Sequence, residues 1–236
     1  MFIDSVLESA PITQSKITFW RYHHRYDWCF HEEENTVSIL PKETSDISWT
    51  AGVYIRDFTI SKYLKDFGIK KILDVGADTG CFMAFCRMHW IESVGIDADR
   101  DAVEHINAKW VNKAYHYWFE DLVNLSKLGN EYDCLVCMNI LHSPRFEEEI
   151  KWKFISYIEN NYKYSILTLK SSDVNKLENL ELVYDFSILK FSGYRFIKPF
   201  QIKYSATIQF FLRIFWLNAL TDYISIQALY KSKIIH

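Results

Sequence analysis

Ile72-Leu73-Asp74-Val75-Gly76-Ala77-Asp78-Thr79-Gly80 is the stretch on which the reading of this chain turns. Its first four residues complete a short apolar run that opens at Lys71, and the Gly-containing turn leads into a predicted helix over Cys81–Trp90. Apolar run, glycine turn and helix in that order are a strand that ends at a ligand-binding edge. Glycine there tolerates positive φ and lets the backbone come within contact distance of a ligand. Asp74 closes the strand with a carboxylate where a ligand ammonium could sit. Asp74 and Asp78 both flank the turn, and no lysine follows it as in a phosphate-cradling loop. The turn therefore favours a cationic or neutral ligand over a pyrophosphate.

Outward from this point the pattern repeats. Ser93–Ile96 reads as a second strand ending at Asp97, followed by a helix from Arg100 to Trp110. Ala114–Trp118, Asp133–Met138 and Ser165–Leu169 read as three more strands, with a helix over Phe146–Asn160 between the last two. That helix carries Glu147, Glu148 and Glu149 in its first turn, where the macrodipole favours acids. Upstream, Ile55, Phe58, Ile60, Tyr63, Leu64 and Phe67 predict a helix over Val53–Phe67 capped by Gly68. Strands alternating with helices at this spacing make a parallel sheet covered on both faces. Asp97 lies 23 residues beyond Asp74, where a carboxylate can accept both hydroxyls of a ribose. Glu120 and Asp121, after the third strand, supply acceptors for an exocyclic amine such as that of adenine; Asp121 is also a residue type that caps a helix over Leu122–Leu128. Acceptors for an ammonium, a ribose and adenine, in that order along the strand ends, describe S-adenosylmethionine.

The composition frames this. The chain has 236 residues, 49% hydrophobic and 24% charged, with seven Gly and four Pro, which excludes disordered, collagen-like and low-complexity classes. Aromatic residues are abundant at 17%. The formal charge is −3, against a dedicated nucleic-acid binder. The charge is uneven: the part beyond Asp185 carries +6 and the first 185 residues −9. A basic end of this kind could meet a phosphate-bearing partner or an anionic membrane surface, or merely solvate strand edges. Five cysteines, no basic start followed by an apolar stretch, and no apolar run near 18 residues place the chain in a reducing, cytoplasmic setting, with contact at the inner face of a membrane left open. Cys134 and Cys137 fall within one predicted strand and face opposite ways, so no metal site is expected.

Near the end, Leu182, Tyr184, Phe186 and Ile188 alternate with less apolar neighbours and predict a half-exposed strand. The alternation of Ile202, Tyr204, Ala206, Ile208, Phe210, Leu212, Ile214 and Trp216 predicts a longer one over 202–216. Leu217, Leu220, Ile224 and Ala228 recur at helical spacing and predict a terminal helix.

On these motifs the chain resembles the class I S-adenosylmethionine-dependent methyltransferases. Ile72–Gly80 is similar to the family's first motif, Val94–Asp97 to its acidic second strand, Phe119–Leu122 to its adenine-side segment and Tyr132–His142 to its fourth-strand motif. One departure is visible: the middle glycine of the family's G-x-G-x-G is Asp78. The resemblance implies a Rossmann-like, doubly wound α/β fold, with a mostly parallel seven-stranded sheet whose last strand is antiparallel and inserted beside the fifth. It implies an N-terminal extension over 1–52 that could cover the pocket, a methyltransferase domain over 53–216 and a C-terminal helical tail over 217–236. It implies S-adenosylmethionine as cofactor, with Asp74 and Gly76 against its methionine part, Asp97 holding the ribose, Asp121, with Glu120 as the alternative, at the adenine amine, Met138 and Asn139 close by, and Ala77, Asp78, Gly80 and Ala98 among the cofactor-binding residues. The expected reaction is O-methylation of a small-molecule or glycan acceptor; alternatives are RNA or protein methylation, or a cofactor-binding but idle partner subunit.

His142 follows the fourth strand on the ligand side of the sheet and is the candidate general base, or else a ring packed over the pocket. Trp20, Tyr22, His23 and Tyr26, with His24 and Trp28 near them, are candidate acceptor-binding residues; the same rings could form a satellite core.

Overall fold

Why a parallel sheet forms is visible in its strands, which are apolar on both faces as a doubly covered sheet requires. The structure is a computed structural model and describes residues 26–41, 47–110, 113–117, 131–141, 147–186 and 225–235. In chain order its elements are β1 (Tyr26–His31), β2 (Thr36–Pro41), α1 (Ile47–Asp66), β3 (Lys71–Val75), α2 (Cys81–Met88), β4 (Glu92–Asp97) and α3 (Arg100–Lys109). They continue with β5 (Ala114–His116), β6 (Cys134–Cys137), α4 (Glu148–Asn161), β7 (Tyr164–Lys170), the single helical turn α5 (Ser171–Val174), β8 (Leu180–Asp185) and β9 (Ser225–Ser232).

Seven strands make one sheet in the order β5-β4-β3-β6-β7-β9-β8. All neighbours through β7 pair in parallel, and β9 lies antiparallel between β7 and β8. The strand order, with its one reversed strand beside the fifth, is the Rossmann-like doubly wound arrangement that the resemblance implies. Ile72, Cys134, Val136, Ile166 and Leu229 face α1 and α2, while Leu73, Leu135, Cys137, Leu167 and Tyr230 face the other way onto α4. Cys134 and Cys137 thus sit on opposite faces, and burial holds both thiols far up in pKa. The β3 and β6 starts are stapled by Asp133, whose carboxylate accepts the N–H groups of Lys70 and Lys71 at 2.8 and 2.9 Å. On the far side, Lys151 of α4 reaches Asp173 of α5 at 2.9 Å, both buried.

Two expectations are corrected. The terminal helix does not extend over residues 225–230: Ser225–Ser232 is the strand β9, and 217–224 lie outside the described residues. Ala228, Leu229 and Tyr230 are all buried, because β9 is an inner strand covered on both faces, and such a strand loses the period-two alternation that would mark it. The antiparallel strand beside β7 is therefore supplied by these residues, whereas 202–216 lies outside the described residues. Helix α1 begins at Ile47, six residues ahead of Val53, inside the segment read as an extension. The half-exposed strand formed as β8, with Leu182 and Tyr184 48% and 43% exposed and Phe186 buried just beyond it; a bulge between Leu182 and Tyr184 breaks the simple alternation.

The helix end at Gly68 formed as its sequence predicts. Gly68 has φ +79, its N–H donates to the Lys65 carbonyl and the Ile69 N–H to that of Leu64, and Leu64 and Ile69 belong to one buried cluster, the arrangement of a Schellman cap.

The hairpin of β1 and β2 is a separate two-stranded sheet. It packs on α2 and the end of α3, with Trp28, Val37, Val53, Cys81, Ala84 and Phe85 forming a cluster of their own.

Candidate functional site

The loop between β3 and α2 is built from three left-handed residues, Gly76 (φ +73), Asp78 (φ +52) and Gly80 (φ +78). Gly76 and Ala77 donate to the carbonyl of Ile96 at 2.8 and 3.1 Å, and Gly80 donates to that of Ala77 at 2.8 Å. The loop thereby folds over the end of β4. Positive φ at both glycines strains any larger residue; a Cβ on Gly80 would also fall 2.8 Å from the buried Ile106, and one on Gly76 would meet the tip of Ile140. The departure at Asp78 is explained by its own backbone: aspartate is among the few residues that enter the left-handed region readily.

Asp97, at the end of β4, holds this loop. Its Oδ2 accepts the Asp78 N–H and its Oδ1 the Asp99 N–H, each at 2.8 Å. Each carboxylate oxygen retains a further lone pair. Burial raises the Asp97 pKa and these two N–H groups oppose the rise. Ala98 lies in the turn that follows, its carbonyl 3.1 Å from His116 Nε2.

Asp74 is 3% exposed. Burial, then the neighbouring Asp57 and Asp97, push its carboxyl up to about 8, with Arg56 pulling the other way. Asp57 is the residue that sequence reasoning missed. It lies on α1, buried, its Oδ1 accepting Arg56 Nε at 2.6 Å, with its own pKa raised by burial against the pull of Arg56. Its signal in the sequence is an acid on the apolar face of a helix, between Val53 and Ile60. The Cys81 thiol beside these acids is held in its neutral form by burial. Asp57, Asp74, Asp78 and Asp97 thus gather at the carboxyl ends of β3 and β4, with Arg56 the cation coupled to Asp74 among the described residues.

Met138 and Asn139 follow β6 at the same edge. Met138 is half-buried and its Sδ accepts Gln227 Nε2 at 2.7 Å. Asn139 is exposed with φ +63, and the bend there sends Ile140 across to Gly76. The structure therefore brings together Asp74, Gly76, Ala77, Asp78, Gly80, Asp97, Ala98, Met138 and Asn139. Trp20, Tyr22, His23, His24, Glu120, Asp121 and His142 lie outside the described residues, and of Tyr26 only the backbone, in β1, is described. Trp28 is in the satellite core, 2% exposed.

No protein-family model matches the chain, and no curated protein matches it in sequence. Solved structures share its course at low identity. Magnesium protoporphyrin IX methyltransferase from Synechocystis PCC 6803, crystallised with SAM, is 15% identical over 61% of this chain and 76% of that one, with a TM-score of 0.49. A SAM-dependent methyltransferase from Archaeoglobus fulgidus is 12% identical over 75% and 94%, at 0.45. The sugar N-methyltransferase KedS8 from Streptoalloteichus is 14% identical over 56% and 53%, at 0.40.

Proposed function

We propose that this chain is a methyltransferase that uses S-adenosylmethionine to methylate a hydroxyl of a small-molecule or glycan acceptor. The observation that carries it is the set of buried acids at the ends of β3 and β4. Asp57, Asp74 and Asp97 lie at one edge and burial pushes all three up in pKa; Arg56 pairs with Asp57, and a cationic ligand would draw the other carboxyls into their ionised form. Asp74 and Gly76 take the methionine end, where Asp57 adds to the negative field. Asp97 accepts the ribose hydroxyls on lone pairs its backbone partners leave, with Ala77, Asp78, Gly80 and Ala98 forming the wall. Asp121 or Glu120 takes the adenine amine, and Met138 and Asn139 border the reacting end.

The cofactor, when bound, supplies the methyl group and a sulfonium leaving group. The protein's part is then to bring the acceptor oxygen in line and to take its proton, which is the role assigned to His142. Trp20, Tyr22, His23 and Tyr26 are assigned to the acceptor. Placement in the cytoplasm belongs to the same proposal; what the described residues show is that no helix among them is long and apolar enough to cross a membrane.

Calorimetric titration with S-adenosylmethionine and S-adenosylhomocysteine tests the cofactor. Absence of binding to either overturns the proposal. Transfer of labelled methyl to glycans, small alcohols, RNA and protein then tests the acceptor. His142→Ala should lower turnover on an alcohol by about 10²- to 10⁴-fold with cofactor affinity unchanged. A loss below about threefold removes His142 from the chemistry.

A further inference from the structure

A buried hydrogen bond joins the β1–β2 hairpin to the candidate cofactor loop. The indole Nε1 of Trp28 donates to the carbonyl of Thr79 at 2.8 Å, across 51 residues of sequence. Thr79 stands between Asp78 and Gly80, both left-handed. The direction of its carbonyl fixes the peptide plane that leads from the loop into α2. Around the bond the ring is held from several sides. Trp110 lies 4.8 Å away, and Lys109 Nζ sits 4.3 Å from the indole ring while its ammonium donates to Asp27 Oδ1 at 2.8 Å. Further along α2, Asn35 donates to the Met88 carbonyl at 2.9 Å and Arg87 pairs with Glu32 at 2.8 Å. The hairpin therefore grips α2 at its last turn and at the loop that precedes it.

We propose that Trp28 is a positioning residue for the loop over 76–80, so that this ring sets the affinity of the site for its cofactor. This rests on the methyltransferase reading. A ring that merely fills space would need no donor aimed at the loop; a buried carbonyl that loses its partner, by contrast, turns to find another.

The test uses the full chain. Trp28→Phe keeps an apolar ring and removes the donor. Val37→Ala weakens the same cluster and leaves the bond. Two measurements are made: amide hydrogen exchange over residues 76–82 without ligand, and titration with S-adenosylmethionine and S-adenosylhomocysteine.

In Trp28→Phe, exchange in that segment should quicken and affinity fall, each by about tenfold, as the loss of one buried hydrogen bond predicts. Val37→Ala should lower the melting temperature with both readings within about twofold of the wild type. Unchanged exchange and affinity in Trp28→Phe overturn the inference, as does an equal loss in Val37→Ala. If Trp28→Phe does not fold, Trp28→3-benzothienylalanine removes the N–H with the bicyclic shape kept, and the same outcomes decide. A wild type that binds neither ligand sinks the methyltransferase reading and with it the link to affinity, while the exchange data alone judge the hold on the loop.

Discussion

Asp74 has a consequence that can be titrated. Its carboxyl, at about 8 in the fold against 3.8 ordinarily, keeps its proton near neutrality, whereas the unfolded chain releases it near pH 4. The folded state then binds more protons between those limits, so this group's contribution to stability falls as pH rises from about 4 to about 8. A cationic ligand selects the carboxylate. S-adenosylmethionine affinity should therefore rise between about pH 5.5 and 7.5, by at most about tenfold per unit, with proton release on binding. A flat profile by calorimetry would contradict this. Asp74→Asn should bind weakly yet be at least as stable as the wild type at pH 7.5, and its stability should lack that slope. Asp97→Ala should weaken binding by about 1.5–3 kcal/mol, the range for hydrogen bonds to a charged group. It should also lower the melting temperature, because the Asp78 and Asp99 N–H groups lose their acceptor; wild-type affinity in the folded variant removes Asp97 from the ribose. Both acids were legible in the sequence because each ends an apolar run at the ligand edge. Asp57 was not, since its site appears only when α1 packs against β3 and α2.

Elements whose ends are written in local chemistry were the easiest to read. Gly68 stops α1 as its sequence predicts, while the end of α2 repeats the same hydrogen bonds with an unsuitable residue. Trp90 donates to Arg87 and Ile91 to Cys86, and Trp90 has φ +63 with its ring 79% exposed. A bulky side chain in that conformation costs roughly 1–2 kcal/mol, and little packing offsets it. Trp90→Gly should therefore stabilise the protein by about 1 kcal/mol, a rise of roughly 2–4 °C in melting temperature for a chain of this size. A calorimetric scan checks this, and a fall would show that the ring contributes more than its exposure suggests. The start of α1 and the identity of β9 were harder. Ser45 and Asp46 ahead of Ile47 are residue types that often precede a helix, but no strong periodic run follows them in the sequence. In β9, Gln227 interrupts an apolar stretch whose two faces are both buried, and helix and strand then look alike until pairing with β7 decides.

At the scale of the whole molecule, the strand order was implied by the resemblance, and which residues fill each place was only partly legible. β9 makes seven residue pairs with β7 and five with β8. Ending the chain after residue 224 should leave two unpaired strand edges and abolish cooperative unfolding, as followed by circular dichroism; a truncated chain that still melts as one unit would show the sheet to be complete without β9. The same arrangement governs how the protein is made. During synthesis, β3 to β7 emerge in an order that lets neighbours pair soon after they appear, but β8 and the free edge of β7 wait for β9, complete only once Ser232 has been added. However far the chain continues, the nascent polypeptide carries an open sheet until that moment. Chaperone capture and self-association should be concentrated in that interval, so a slow codon run just upstream of β9 would cost more yield than the same run placed anywhere before β3.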